Sequence, residues 1–131
     1  MSWSQRLETI TLKAAADLSA AKFKVVELDA NGDVTIANNT ALGVGILQNA
    51  PKSGEAATIA YDGFSRGLAA VAVTVGQHVR NSSGWLTPIG SAGNYASHIV
   101  IGRAMTTAAS GGLLTVKLMM QLSVNSGSAL A

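Results

Sequence analysis

The chain is predicted to be mainly β: a single small barrel or sandwich made of two similar β units, with at most one or two short helices. Three observations predict this. Segments rich in Val, Ile, Leu and Thr recur along the sequence, each about the length of a strand. Gly, Asn, Asp and Ser separate them at short intervals, as turn residues do. A block in the middle of the chain is also echoed downstream, with Gly45, Gly54 and Thr58 matched by Gly102, Gly111 and Thr115 at a constant offset of 57 residues.

Taken in order, Glu8 to Leu12 is the first strand candidate. Ala14-Ala15-Ala16-Asp17-Leu18-Ser19 is the best helical stretch, but it spans under two turns and serves only as a connector. Phe23 to Leu28 partly alternates, Asp29-Ala30-Asn31-Gly32-Asp33 supplies an Asn-Gly turn, and Val34 to Ala37 resumes, which is the signature of a hairpin. Leu42 to Gln48 follows, with Gly43 and Gly45 permitting close backbone approach or a bulge. Ala56 to Tyr61, Gly67 to Val75, His78 to Asn81, His98 to Met105 and Leu113 to Leu122 complete the strands.

The echo organises these elements. Gly45 to Ile59 aligns with Gly102 to Val116, and upstream Gly32-Asp33-Val34-Thr35 resembles Gly84-Trp85-Leu86-Thr87 at an offset of 52. The second copy therefore carries an insertion of five residues between Thr87 and Gly102, most naturally within Gly90 to Tyr95. The expected domain map is an N-terminal arm over residues 1–12, a β domain over 13–122 and a C-terminal tail over 123–131. Within the domain the pseudo-repeats cover about 18–61 and 73–118, packed about a shared core.

A length of 131 residues suits one domain. Charged residues are 12% of the chain, about half the roughly 25% usual for soluble proteins. Hydrophobic residues are 48%, mean hydropathy is +0.32, and the apolar content is mostly small side chains, with only two each of Trp, Tyr and Phe. Such a chain is expected to gain stability from contacts between subunits. Nine basic residues against seven acidic ones are scattered and leave no nucleic-acid footprint. The sequence has no cysteine, hence no disulfide, thiolate nucleophile or Cys-ligated metal. No apolar run approaches the roughly 18 residues that span a bilayer, and the first residues lack a signal-peptide pattern, so no membrane partner and synthesis in the cytoplasm are expected.

Motifs for chemistry are weak. Gly63-Phe64-Ser65-Arg66-Gly67 matches the pattern of a nucleophile elbow, which would make a small serine hydrolase using Ser65 with a histidine. The β-branched residues that follow do not open a helix, so the segment reads as a turn between two strands. Asp29 to Asp33 starts like a calcium loop, but Val34 stands where glycine is needed and Thr40 where a bidentate Glu is needed. His78 and His98 have no carboxylates at metal-ligand spacing. Asn38-Asn39-Thr40 and Asn81-Ser82-Ser83 read as turn residues, and no Walker-type or dinucleotide loop occurs. No catalytic residue, cofactor or metal site is therefore expected. Trp3 lies in an otherwise polar N-terminal segment, where a Trp either anchors into a partner's pocket or folds back on its own domain.

The series Ala16-Asp17-Leu18-Ser19, Phe23 to Leu28, Gly43 to Pro51 and Gly54-Glu55-Ala56-Ala57 resembles the capsid decoration, or cement, proteins of tailed bacteriophages. Val75 to Val79, Gly84-Trp85-Leu86 and Ile101 to Ala104 continue the likeness, which covers roughly Thr9 to Leu118. The resemblance implies a compact β domain, with a β-tulip-like fold as in lambda-type head decoration proteins. It implies a homotrimer on the outer capsid surface of the virion, locking neighbouring major capsid protein subunits together, and it offers no catalytic residue. Trp3, Arg6, Leu7, Ile10 and Leu12 in the arm are the expected contacts with capsid or subunit, through an apolar anchor or a strand added to a neighbouring sheet edge. A tail-tube or fibre module is the alternative structural reading.

Overall fold

The computed structural model describes residues 7–38, 43–89 and 99–122. It contains nine strands: β1 (Leu7–Lys13), β2 (Val25–Leu28), β3 (Val34–Ile36), β4 (Gly45–Leu47), β5 (Ala56–Leu68), β6 (His78–Ser82), β7 (Trp85–Pro88), β8 (Ile99–Ala104) and β9 (Leu113–Leu122). They form one antiparallel sheet in the order β3-β2-β4-β5-β9-β8-β6-β7, with β1 added on β5. The mainly β prediction holds. Ala14 to Ser19 is not helical, because its polar groups are taken elsewhere: Ala14 N–H donates to Glu55 at 2.9 Å, Ala15 N–H to Val34 at 2.7 Å, and Asp17 folds back to accept from Ser19 N–H at 3.0 Å.

The largest departure from the sequence reading is β5. Instead of two strands separated by a turn at Gly63 to Gly67, the chain runs straight through as 13 residues. Its first part pairs with β1 and β4, and Phe64 to Leu68 pair with β9. Gly63, at φ 98°, marks the joint. The expected strand from Gly67 to Val75 ends at Leu68, and the following residues make isolated bridges from Ala69 to Leu86 and from Val73 to Ala108. Trp85–Pro88, marked in the sequence only by its likeness to the first hairpin, is the strand β7.

This long strand joins two copies of one unit. The first comprises β1 to β4 and the start of β5; the second comprises the end of β5 and β6 to β9. Pairings recur copy for copy: Leu12 with Ala57 and Gly67 with Leu114, Val26 with Gly45 and Val79 with Gly102, Leu47 with Ile59 and Ala104 with Val116. The loops repeat as well. Leu18 N–H donates to Pro51 and Val73 N–H to Ala108, while Phe23 N–H donates to Leu47 and Gly76 N–H to Ala104. Parallel bridges Ala14–Val34 and Ala69–Leu86 tie the first strand of each unit to its third, so each unit curls into a short five-stranded barrel.

Each barrel is filled by equivalent residues rather than by one core common to both. Ala14, Leu18, Val26, Val34, Leu47, Ala57 and Ile59 fill the first, and Ala69, Val73, Val79, Leu86, Ala104, Leu114 and Val116 fill the second. The second cluster also takes in Val25, Ala37, Ile46 and Ala60 from the first unit, which is what welds the two together. At about 25 cal/mol per Å² of apolar surface removed from water, this welding is part of the folding free energy and not an incidental contact.

Candidate assembly surface

Of the five contact residues expected in the arm, Trp3 and Arg6 lie outside the described residues, as do His98, Thr40, Gly90 to Tyr95 and residues 123–131. Leu7, Ile10 and Leu12 all lie on β1, which pairs with the chain's own β5, from Leu7 opposite Gly63 to Lys13 opposite Ala56. Leu12 packs against the first core, whereas Leu7 and Ile10 are each 39% exposed.

Ile10 has an unusual position. Directly opposed residues of an antiparallel pair share a face. Ile10 faces Ile59, and Leu28 on β2 faces Val34, so both point to the same side as buried residues of the first core. Both are nevertheless exposed, Leu28 at 43%. In the second unit the equivalent positions are Ser65, opposite Val116, and Asn81, opposite Leu86. These two polar side chains are buried, at 4% and 0% exposure. The polar residues are inside and the apolar ones outside, the reverse of the usual preference.

The difference lies in what covers each end. The first unit lays the outer face of its β2, β3 and β4 over the end of the second barrel. Gln48 Nε2 donates to Ser65 Oγ at 2.9 Å and to the Ile46 carbonyl at 2.9 Å, and Ser65 Oγ donates to the Arg66 carbonyl at 2.9 Å. Asn81 Nδ2 donates to the Asn38 carbonyl at 3.4 Å, and Asn81 Oδ1 accepts from Gly84 N–H at 2.6 Å. Val25 N–H donates to the Gly84 carbonyl at 2.9 Å, and Lys24 Nζ stands 4.9 Å from the centre of the Trp85 ring, within cation–π range. Sequence reasoning missed Leu28 and Asn81. The signal that finds them is the alignment of the two units, which puts a leucine where its copy has a buried amide.

Other candidates resolve into structure. Ser65 sits mid-strand with its hydroxyl engaged on both sides, not on a strand-to-helix elbow. Asp29 Oδ1 accepts from the N–H groups of Asn31 and Asp33, each at 2.9 Å, so the calcium-like segment is a side-chain-closed hairpin turn. Among the described residues no three His, Cys, Asp or Glu side chains are grouped to hold a metal. A shallow open depression of about 250 Å³ is lined by Ala69, Ala70, Trp85, Ser110 and Gly111, none of them ionisable. Among the described residues, two ionisable groups are displaced from their ordinary values. Hydrogen bonds from Ser19 hold Asp17 lower, and the negative charge of Glu8, with smaller contributions from desolvation, the Glu8 hydrogen bond and Asp62, holds Tyr61 higher.

No family model matches the chain, and no curated protein sequence does. Among solved structures it is similar to the head fiber gp8.5 N base of bacteriophage phi29, with a TM-score of 0.64 and 14% sequence identity. The match covers 89% of this chain and 98% of that one. At that identity the likeness is one of fold.

Proposed function

We propose that the chain is a structural protein of a phage virion that binds the outside of the assembled head and stabilises it by joining neighbouring major capsid protein subunits, as a homotrimer. The observation that carries this reading is the shared fold, over nearly the whole of both chains, with a domain named for the base of a phage head fiber. Fold alone is an analogy. The chemistry of this chain agrees with it: the serine in its one nucleophile-like motif is committed to Gln48 and a backbone carbonyl. A protein that binds the assembled lattice in preference to free subunits shifts the equilibrium toward the shell by mass action. Repetition over a symmetric surface turns modest contacts into avidity.

The neighbour's role as the base of a head fiber favours a second reading, in which this domain is the head-bound base of a longer projecting assembly. One experiment separates the two. Purified chain is added to heads lacking it, and release of DNA on heating is followed. Cementing predicts saturable binding and a higher release temperature; a fibre base predicts binding to heads with an unchanged release temperature. Binding to neither heads nor tails contradicts both.

A further inference from the structure

The contact between the two units is heterologous: the outer face of β2 to β4 in the first meets the barrel end of the second. Among the described residues, a contact of this kind leaves its other half unused at each end of the chain. On the first unit the unused half is the barrel end carrying Ile10 and Leu28, where Gly32 has nothing within 4 Å of the direction a side chain would take. Its copy, Gly84, is packed against Ile36 and Lys24. On the second unit the unused half is the outer face of β8 and the turn after it, where Arg103 and Met105 occupy the positions of Ile46 and Gln48. Met105 is 42% exposed.

We infer that a second copy of this chain docks head to tail, its Met105 face covering the Ile10 and Leu28 end of the first unit, by the same geometry that joins the two units internally. Three observations select this occupant. The interface already exists once, in full, inside the chain. The side chains have changed together: where the internal contact sets Gln48 on buried Ser65, the two free halves offer Met105 and Ile10, an apolar pair in place of a polar one. The charges match as well. All seven carboxylates lie between Glu8 and Asp62, against four lysines there, and residues 64–118 carry four cations, Arg66, Arg80, Arg103 and Lys117, with no acid. One end of the chain is thus anionic and the other cationic, which favours unlike ends meeting. Such an interface propagates into a ring or a filament according to the rotation between successive chains. It is a property of the isolated chain and stands or falls separately from what the assembly coats.

The test uses purified full-length chain and its mass in solution by light scattering. Wild type is expected as an oligomer, and Ile10→Glu and Met105→Glu each as a 13.3 kDa monomer. An equimolar mixture of the two variants is expected to give a dimer and nothing larger, because each retains the half the other lacks. Ile10→Ser, the residue the second unit has at that position, is the milder variant and is expected to be monomeric with an unchanged melting temperature. A wild-type chain that remains monomeric at the highest attainable concentration overturns the inference. So do variants that assemble like wild type, or a mixture that stays monomeric.

Discussion

Gly45 and Gly102 make one and the same contact in the two halves of the molecule. A β-carbon on Gly45 would run into the carbonyl of Ala60 and meet Ile59 Cγ2 at 2.7 Å; one on Gly102 would run into the carbonyl of Lys117 and meet Val116 Cγ2 at 2.7 Å. Each glycine lets a strand cross its neighbour at backbone distance, so that Ile46 with Ala60 and Arg103 with Lys117 fall into identical register. The duplication is therefore one of backbone geometry as well as of sequence.

Alanine at either position forces the backbone apart, and over-packing of this kind costs about 1–3 kcal/mol. Gly45→Ala and Gly102→Ala are each expected to lower the urea midpoint with the slope unchanged, Gly45→Ala somewhat more because its φ of 154° also disfavours a side chain. A tolerated alanine at one site only would break the equivalence.

Gly84 and Gly32 occupy matching turns, and both have positive φ, 97° and 81°. An alanine at either is strained by about 1 kcal/mol. Only at Gly84 does it also strike the other unit, with Ile36 Cγ2 at 2.8 Å. Gly84→Ala is expected to destabilise clearly more than Gly32→Ala in thermal melts; equal losses would show that the units are not joined there.

Asn81 caps the second barrel with both ends of its amide. Asn81→Leu, which imports the residue of the first unit, leaves the Gly84 N–H and the Asn38 carbonyl without that partner, at a cost of about 1–3 kcal/mol. Ser65→Ala is milder, since Gln48 keeps its bond to the Ile46 carbonyl, and about 1 kcal/mol is expected. Denaturant unfolding measures both.

Tyr61 donates to Glu8 Oε1 at 3.3 Å, and the Glu8 charge disfavours the phenolate. Its folded pKa is raised, so the folded chain holds the proton more tightly. The associated stabilisation is complete below the ordinary tyrosine pKa of about 10 and is lost as pH rises through the folded value. In a Tyr95→Phe background, absorbance titration is expected to find Tyr61 above the ordinary value and Glu8→Gln to bring it down. An unchanged titration would remove Glu8 as the cause.

Much of this was legible in the sequence, because alternation and turn residues report local backbone directly. Leu113–Leu122 and the β2–β3 hairpin are cases in point. The continuity of β5 was not, because Gly63 and Gly67 look like turn residues while serving as a joint and as a seat for Leu86. The first strands of the two units also escaped the echo. Thr9 to Lys13 and Phe64 to Leu68 share backbone pairing but no residue types, since one faces solvent and the other is covered. Phe23 and Gly76 hold the same left-handed turn position with unlike side chains. The assembly surface is half visible in the sequence: Ile10 stands out by its place in the arm, whereas Leu28 and Met105 become informative only when set against buried Asn81 and against Gln48.

The central claim, that this is a structural protein of a phage head, is tested most directly by banding particles from a lysate that contains it. Mass spectrometry then measures the chain's copy number in DNA-filled heads and in tails. Stoichiometric co-migration with heads, near one copy per major capsid protein, is the predicted result. Absence from heads would contradict the account.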